Sequence, residues 1–294
     1  MPLEHEFGVT LLNASGCLDG LAAPETARQL DAFVTKTVTP LPRGGNAPVR
    51  IAETDVGMLN SIGLANPGRD RFLAETLPVL RELGIPLWVS VGGFAAHEYA
   101  ETCSQLEDVT IELNLSCPNT ECGGMIFGND AASLGAITRA CRRATKLPMW
   151  VKLSPNVTDI RETARAAEAE GADAVTLVNT FVGMVVDVER RRPVLANVSG
   201  GLSGPAIRPL AVWMTWQVRG AVKIPIVGMG GIMTARDALE FLLAGATAVQ
   251  TGTVNFVTPS SAVTVARDLS AWLSKRGIGS VREIVGTLDA GRAS

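Results

Sequence analysis

Residues 149–178 read MWVKLSPNVTDIRETARAAEAEGADAVTLV. A short apolar run, Met149–Leu153, ends in Ser154-Pro155; a helix-like stretch, Asp159–Glu170, closes on Gly171; a second apolar run, Ala174–Val178, follows at once. Two strand-like runs joined through a helix form a βαβ unit, in which the strands lie parallel.

The unit recurs on both sides of this stretch. Phe33–Thr37, Met58–Ile62, Leu87–Val91, Val109–Leu113, Pro225–Met229 and Ala248–Gly252 bring the strand-like runs to eight. Helices are expected over Asp70–Leu83, stopped by Gly84, over Ser133–Thr145, and over Asp237–Leu243, stopped by Gly245. No composition break divides the chain, so the pattern predicts one α/β domain over residues 1–294, a (β/α)8 TIM barrel. A doubly wound open sheet is the alternative, because periodicity does not say whether a sheet closes. Between strands six and seven, Asn179 to Lys223 form a long insertion holding Gly200-Gly201-Leu202-Ser203-Gly204, and such an insertion is expected to act as a lid.

Composition narrows the function. The chain has 294 residues, 47% hydrophobic and 19% charged, enough to bury a large core. Lys+Arg number 26 against 29 Asp+Glu, and no basic block exceeds Arg190–Arg192, so nucleic acid is not expected as a partner. The acidic start, Glu4-His5-Glu6, and the lack of an apolar run of about 18 residues predict a soluble, cytoplasmic protein with no membrane association. Cys17, Cys103, Cys117, Cys122 and Cys141 contain no C-x-x-C pair and have only two histidines to supplement them, which argues against a disulfide frame, a metal site or an iron-sulfur site in this chain.

Barrels carry their chemistry at the C-terminal ends of the strands. Those ends supply Lys36, Asn60, Ser90, Asn114 with Cys117 beyond it, Lys152, Asn179 with Thr180, Gly230 with Gly231, and Gly252 with Thr253. One polar strand end is an ordinary turn former; eight together point to a site. The turn Gly228-Met229-Gly230-Gly231-Ile232 and the pair Gly252-Thr253 expose backbone N–H groups after strands seven and eight, where barrels hold phosphate. Lys152 lies between Val151 and Leu153, and a cation in a central strand must meet an anion or an acceptor.

Several segments resemble one family in order and spacing. They are Asn13-Ala14-Ser15-Gly16, Lys36-Thr37-Val38-Thr39, Arg50–Thr54, Gly57–Leu64, Asn114-Leu115-Ser116-Cys117-Pro118-Asn119, Val151–Pro155, Asn179-Thr180, Gly200–Pro205 and the two glycine turns. From about residue 8 to residue 257 the chain resembles the FMN-dependent dihydroorotate dehydrogenases. Cys117, where the membrane-attached class has serine, makes it similar to class 1. Thr120–Gly128 is similar to the class 1B catalytic subunit, which works with a second, electron-transfer subunit.

The resemblance implies oxidation of (S)-dihydroorotate to orotate, with Cys117 as the base for the C5 proton and hydride passing from C6 to flavin N5. It places Ser15, Lys36, Thr37, Ser90, Asn114, Lys152, Val178, Gly204, Gly230, Gly231, Gly252 and Thr253 around FMN, with Lys152 at the N1/O2 edge as a catalytic group. Lys36, Asn60, Ser61, Ile62, Gly63, Leu64, Asn114, Asn119, Asn179 and Thr180 are implied to hold the pyrimidine and its carboxylate; asparagine offers donor and acceptor on one short side chain. The family usually has asparagine at the position of Ser90, and Glu121 is unusual in its loop.

The absence of a G-x-G-x-x-G motif argues against direct use of NAD. The resemblance implies a partner carrying FAD and a [2Fe-2S] cluster, assembled on a dimer of this chain. Rival readings are a fumarate-using class 1A enzyme, a dihydropyrimidine dehydrogenase-type flavin enzyme, and a catalytically silent scaffold barrel; Asn119 and Lys36 favour dihydroorotate over uracil, and Cys117 with Lys152 disfavours the scaffold.

Overall fold

A computed structural model describes residues 11–115 and 127–291. Eight short strands, β1 (Leu11–Asn13), β2 (Phe33–Val34), β3 (Leu87–Val91), β4 (Thr110–Asn114), β5 (Met149–Lys152), β6 (Ala174–Leu177), β7 (Ile226–Met229) and β8 (Ala248–Thr251), pair in the order β1-β8-β7-β6-β5-β4-β3-β2, every pair parallel. The seam between β1 and β2 closes through a parallel bridge from Leu12 to Ala32 and through Asn13. Its amide donates to Val34 O at 2.8 Å, and Val34 N–H donates back to its Oδ1 at 2.9 Å. A β1 side chain thus stands in for backbone as the ladder partner of β2.

The (β/α)8 barrel is therefore the fold, but one of its expected strands gives way to a segment not expected as a strand. Met58–Ile62 is not a barrel strand: Gly57–Asn60 pairs antiparallel with Ile51–Thr54 across the two-residue loop Asp55-Val56, and strands joined that tightly cannot run parallel. The missing barrel strand is Leu11–Asn13, whose three residues are too few to show a period.

Alternation sorts the interior into layers. Leu12, Ala32, Val34, Trp88, Val227 and Ala248 form an apolar plug with Trp150 against it, the two tryptophan rings tilted at 56° with centroids 3.9 Å apart. Two residues further along their strands the interior turns polar: Trp150 is followed by Lys152, Ala248 by Gln250, Ala174 by Thr176, Thr110 by Glu112. The opposite strand faces, with Val89, Ile111, Val151 and Val175, join helix residues such as Leu134, Ala164, Val218 and Phe241 in the main core. Gly228 in β7 lets Phe241 approach, since a Cβ there would stand 2.6 Å from its ring.

The helices follow their caps. Ile160–Ala169 begins at Asp159, which accepts from Arg161 N–H. Ala235–Ala244 begins two residues before the expected Asp237, because Thr234 is the cap and Asp237 completes its capping box. The stretch expected as one helix over Asp70–Leu83 is helical over Arg69–Arg81 but widens to a π-turn at Phe72–Thr76, just before Pro78, which lacks an N–H and crowds the carbonyl four residues back.

The insertion between β6 and β7 and the segment between β2 and β3 build one antiparallel sheet, in the order Ile51–Thr54, Gly57–Asn60, Gly200–Ser203, Phe181–Gly183. Ile51, Asn60, Gly201 and Val182 stand in register across it and face the barrel mouth. Ala52 and Leu59 lie on the other face in a small separate core with Leu195. Among the described residues no helix is long and apolar enough to cross a membrane.

Candidate active site

The C-terminal strand ends and the accessory sheet enclose a cavity of about 700 Å³, within the range of small-ligand and cofactor sites. Of the residues singled out from the sequence, Ser15, Lys36, Thr37, Asn60, Ser61, Ile62, Gly63, Leu64, Asn114, Lys152, Val178, Asn179, Thr180, Gly204, Gly230, Gly231, Gly252 and Thr253 line it. Cys117 and Asn119 lie outside the described residues. Ser90 is not on the wall: it is fully buried, and its hydroxyl meets Thr37 Oγ1 at 2.9 Å. Serine is too short to reach past Thr37, so it supports the wall from behind.

Thr37 is the hub of one side. Besides Ser90 it accepts from Asn114 Nδ2 at 3.0 Å and lies 3.3 Å from Ser15 Oγ. Asn179 donates to Asn114 Oδ1 at 3.4 Å, and Thr180 N–H donates to Asn179 Oδ1 at 2.9 Å. Strand ends β4 and β6 thereby present two oriented amides side by side. Asn60 reaches the cavity from the accessory sheet. Beside it Gly201 leaves room for Thr180, whose Oγ1 would be 2.0 Å from a Cβ at that position. Asn46 donates to Ser61 Oγ at 2.8 Å and so steadies the turn through Ile62 and Gly63.

At the opposite side Gly230 and Gly231 have φ of +125° and +74°, and a Cβ on Gly231 would stand 2.7 Å from Gly204 O and 2.8 Å from Arg208 Cβ. The turn is thus pressed against the start of the helix Arg208–Arg219, with Thr253 donating to Ser203 Oγ at 2.9 Å alongside. Backbone N–H groups, a helix N-terminus and hydroxyls suit a phosphate.

Beneath Lys152, behind the cavity wall, lie residues that the sequence does not single out. Glu112, wholly buried, accepts at Oε2 from Gln250 Nε2 at 2.9 Å and from Thr176 Oγ1 at 3.3 Å, and its Oε1 lies 3.8 Å from Lys152 Nζ. A glutamate in the apolar run Val109–Leu113, two residues before Asn114, was the available signal. Cys17 also lines the cavity; burial pushes its thiol above the ordinary range, an effect offset in part by Lys152 and Lys36. Cys103 and Cys141 are buried outside the cavity, the Cys141 thiol held strongly up by its contact with Cys103 and by burial.

The family model for dihydroorotate dehydrogenase matches residues 3–273. The chain belongs to the dihydroorotate dehydrogenase family. It is 51% identical over 265 residues to a protein of Trichlorobacter lovleyi, covering 89% of this chain and 87% of the relative. With a relative from Desulforudis audaxviator it shares 52% over 261 residues, 87% and 85% of the two chains, and with one from Geobacter sulfurreducens 49% over 264, 88% and 87%. Each is named dihydroorotate dehydrogenase B (NAD(+)), catalytic subunit.

Membership of the dihydroorotate dehydrogenase family makes this chain an oxidoreductase, with FMN as cofactor and dihydroorotate oxidation in pyrimidine biosynthesis as its reaction. The cavity fits FMN. It pairs a glycine cradle that admits no Cβ at Gly231 with a buried lysine and a line of hydroxyls, the donor set that a phosphate and an electron-accepting ring require.

Proposed function

We propose that the cavity divides into a flavin wall and a pyrimidine wall, with Cys117 as the base. Ser15, Lys36, Thr37, Asn114, Lys152 and Val178 would hold the flavin ring, and Gly204, Gly230, Gly231, Gly252 and Thr253 its phosphate, with Ser90 acting through Thr37. Lys36, Asn60, Asn114, Asn119, Asn179, Thr180 and the Ser61–Leu64 turn would hold dihydroorotate. Bound FMN supplies the acceptor for the C6 hydride at N5. The paired amides of Asn114 and Asn179 orient the ring, and Cys117, three residues past Asn114, takes the C5 proton as thiolate. Lys152 offers positive charge where negative charge develops.

The observation that carries this reading is the convergence of Lys152, the Asn114–Asn179 pair and the Gly230-Gly231 turn on one cavity. Cys117→Ala should retain FMN but lose bleaching by dihydroorotate under anaerobic conditions, by at least about a hundredfold in rate; bleaching at the wild-type rate would remove Cys117 from the role.

We further propose that residues 1–294 act as one domain in the cytoplasm, as a homodimer that hands electrons to a partner subunit with FAD and a [2Fe-2S] cluster and from there to NAD. The names of the relatives, as catalytic subunits of NAD(+) enzymes, support this. Rapid turnover of the purified chain with fumarate would place it with the fumarate-using enzymes instead.

A further inference from the structure

We infer that Glu112 is the positioning residue of the site, the buried counter-ion that holds the ammonium of Lys152 against the cavity and sets how much positive charge the floor presents. The inference rests on the reading of Lys152 as part of the flavin wall.

β4 and β5 are neighbours, with Asn114 opposite Lys152, so Glu112 lies one inward step below the lysine. The two side chains are 0% and 5% exposed. Neither charge tolerates such burial singly, and each is the other's compensation. Glu112 is also aimed. Gln250 and Thr176, from β8 and β6, both donate to Oε2, which leaves Oε1 without a hydrogen bond among the described residues and turned towards Lys152. Gln250 Oε1 is likewise unpartnered, so this glutamine serves through its N–H, as a partner of an ionised acceptor does.

The separation of 3.8 Å is a charge contact rather than a hydrogen bond. At that distance the carboxylate stabilises the ammonium without taking up its three donors. They stay available to the cavity that Lys152 lines. Glu112 therefore anchors the lysine and also subtracts from its field, so the pair, rather than Lys152 singly, sets the ease with which the flavin is reduced.

A double-mutant cycle tests this. In the FMN-loaded protein Glu112→Gln should shift the two-electron equilibrium towards reduced flavin by at least about tenfold, a rise of about 30 mV in midpoint potential. Glu112→Asp, which keeps the charge, should return most of the wild-type value. In a Lys152→Gln background Glu112 has no ammonium to hold or to offset, so adding Glu112→Gln should move the potential by less than about twofold in the equilibrium. A shift of equal size in both backgrounds, or none in either, overturns the inference.

Should Glu112→Gln singly fail to fold, the double variant decides: with no lysine left unpaired it should fold, and its failure to do so would overturn the inference. Urea unfolding of the FMN-free proteins supplies a second cycle: the double variant should be more stable than the sum of the single losses predicts, and strict additivity refutes the pair. A wild-type protein that binds no FMN would sink the cavity reading, while the urea cycle would still decide whether Glu112 and Lys152 act together.

Discussion

Asn13→Ala attacks the closure of the barrel. The Asn13 side chain makes three buried hydrogen bonds: to Val34 O at 2.8 Å, to Ala14 O at 3.2 Å, and from Val34 N–H at 2.9 Å. Val34 is inaccessible to solvent, so truncation strands its N–H and carbonyl without water to replace the amide. Two orphaned backbone groups at about 1–3 kcal/mol each give a loss of about 4 kcal/mol. With a urea dependence of about 3 kcal/mol/M, the unfolding midpoint should fall by roughly 1 M. Fluorescence of Trp88 and Trp150, in contact inside the same barrel, reports the transition. Because Ala14 to Cys17 follow Asn13 directly into the cavity wall, FMN should also be held about tenfold more weakly, about 1.4 kcal/mol. A midpoint within about 0.3 M of wild type would show that the Leu12–Ala32 bridge closes the seam without the side chain.

Gly231→Val places a branched Cβ at φ +74°, 2.7 Å from Gly204 O, and should reduce FMN affinity at least about a hundredfold in reconstitution titrations; affinity near wild type would remove the turn from the phosphate site. Ser90→Ala removes one bond to Thr37 but nothing from the cavity wall, so FMN affinity should change by less than about fivefold, near 1 kcal/mol, and a larger loss would mean direct contact. Arg161 holds the Asp159 carboxyl down at about 2 through its side chain and its N–H, below the unfolded value of about 4. Its stabilising effect is complete above pH 4 and lost as pH falls towards 2. The melting-temperature gap between wild type and Asp159→Asn should therefore close over that window, and a gap constant from pH 6 to pH 2 would refute it.

The legibility of the site followed the range of the interactions that make it. Lys152 stands out in Met149–Leu153 because a cation in an apolar strand is costly wherever the strand lies. Gly230 and Gly231 stand out because a positive φ is a local demand. Glu112 sits in an equally apolar run, yet its meaning depends on Gln250, 138 residues away, which becomes a neighbour only when the sheet curls into a barrel. Ser90 reads as a wall residue by position, and only the depth of Thr37 in front of it shows otherwise.

Local rules, the alternation of strand and helix, the caps and the glycine turns, were written in the amino-acid order itself, since each depends on residues a few positions apart. Closure was not. Leu11–Asn13 is too brief to announce itself, and Met58–Ile62 has the composition of a barrel strand while its two-residue loop commits it to a hairpin. Which strands met at the seam, and which buried carboxylate faced the lysine, depended on contacts between distant segments, whose energies exist only once the chain has brought them together.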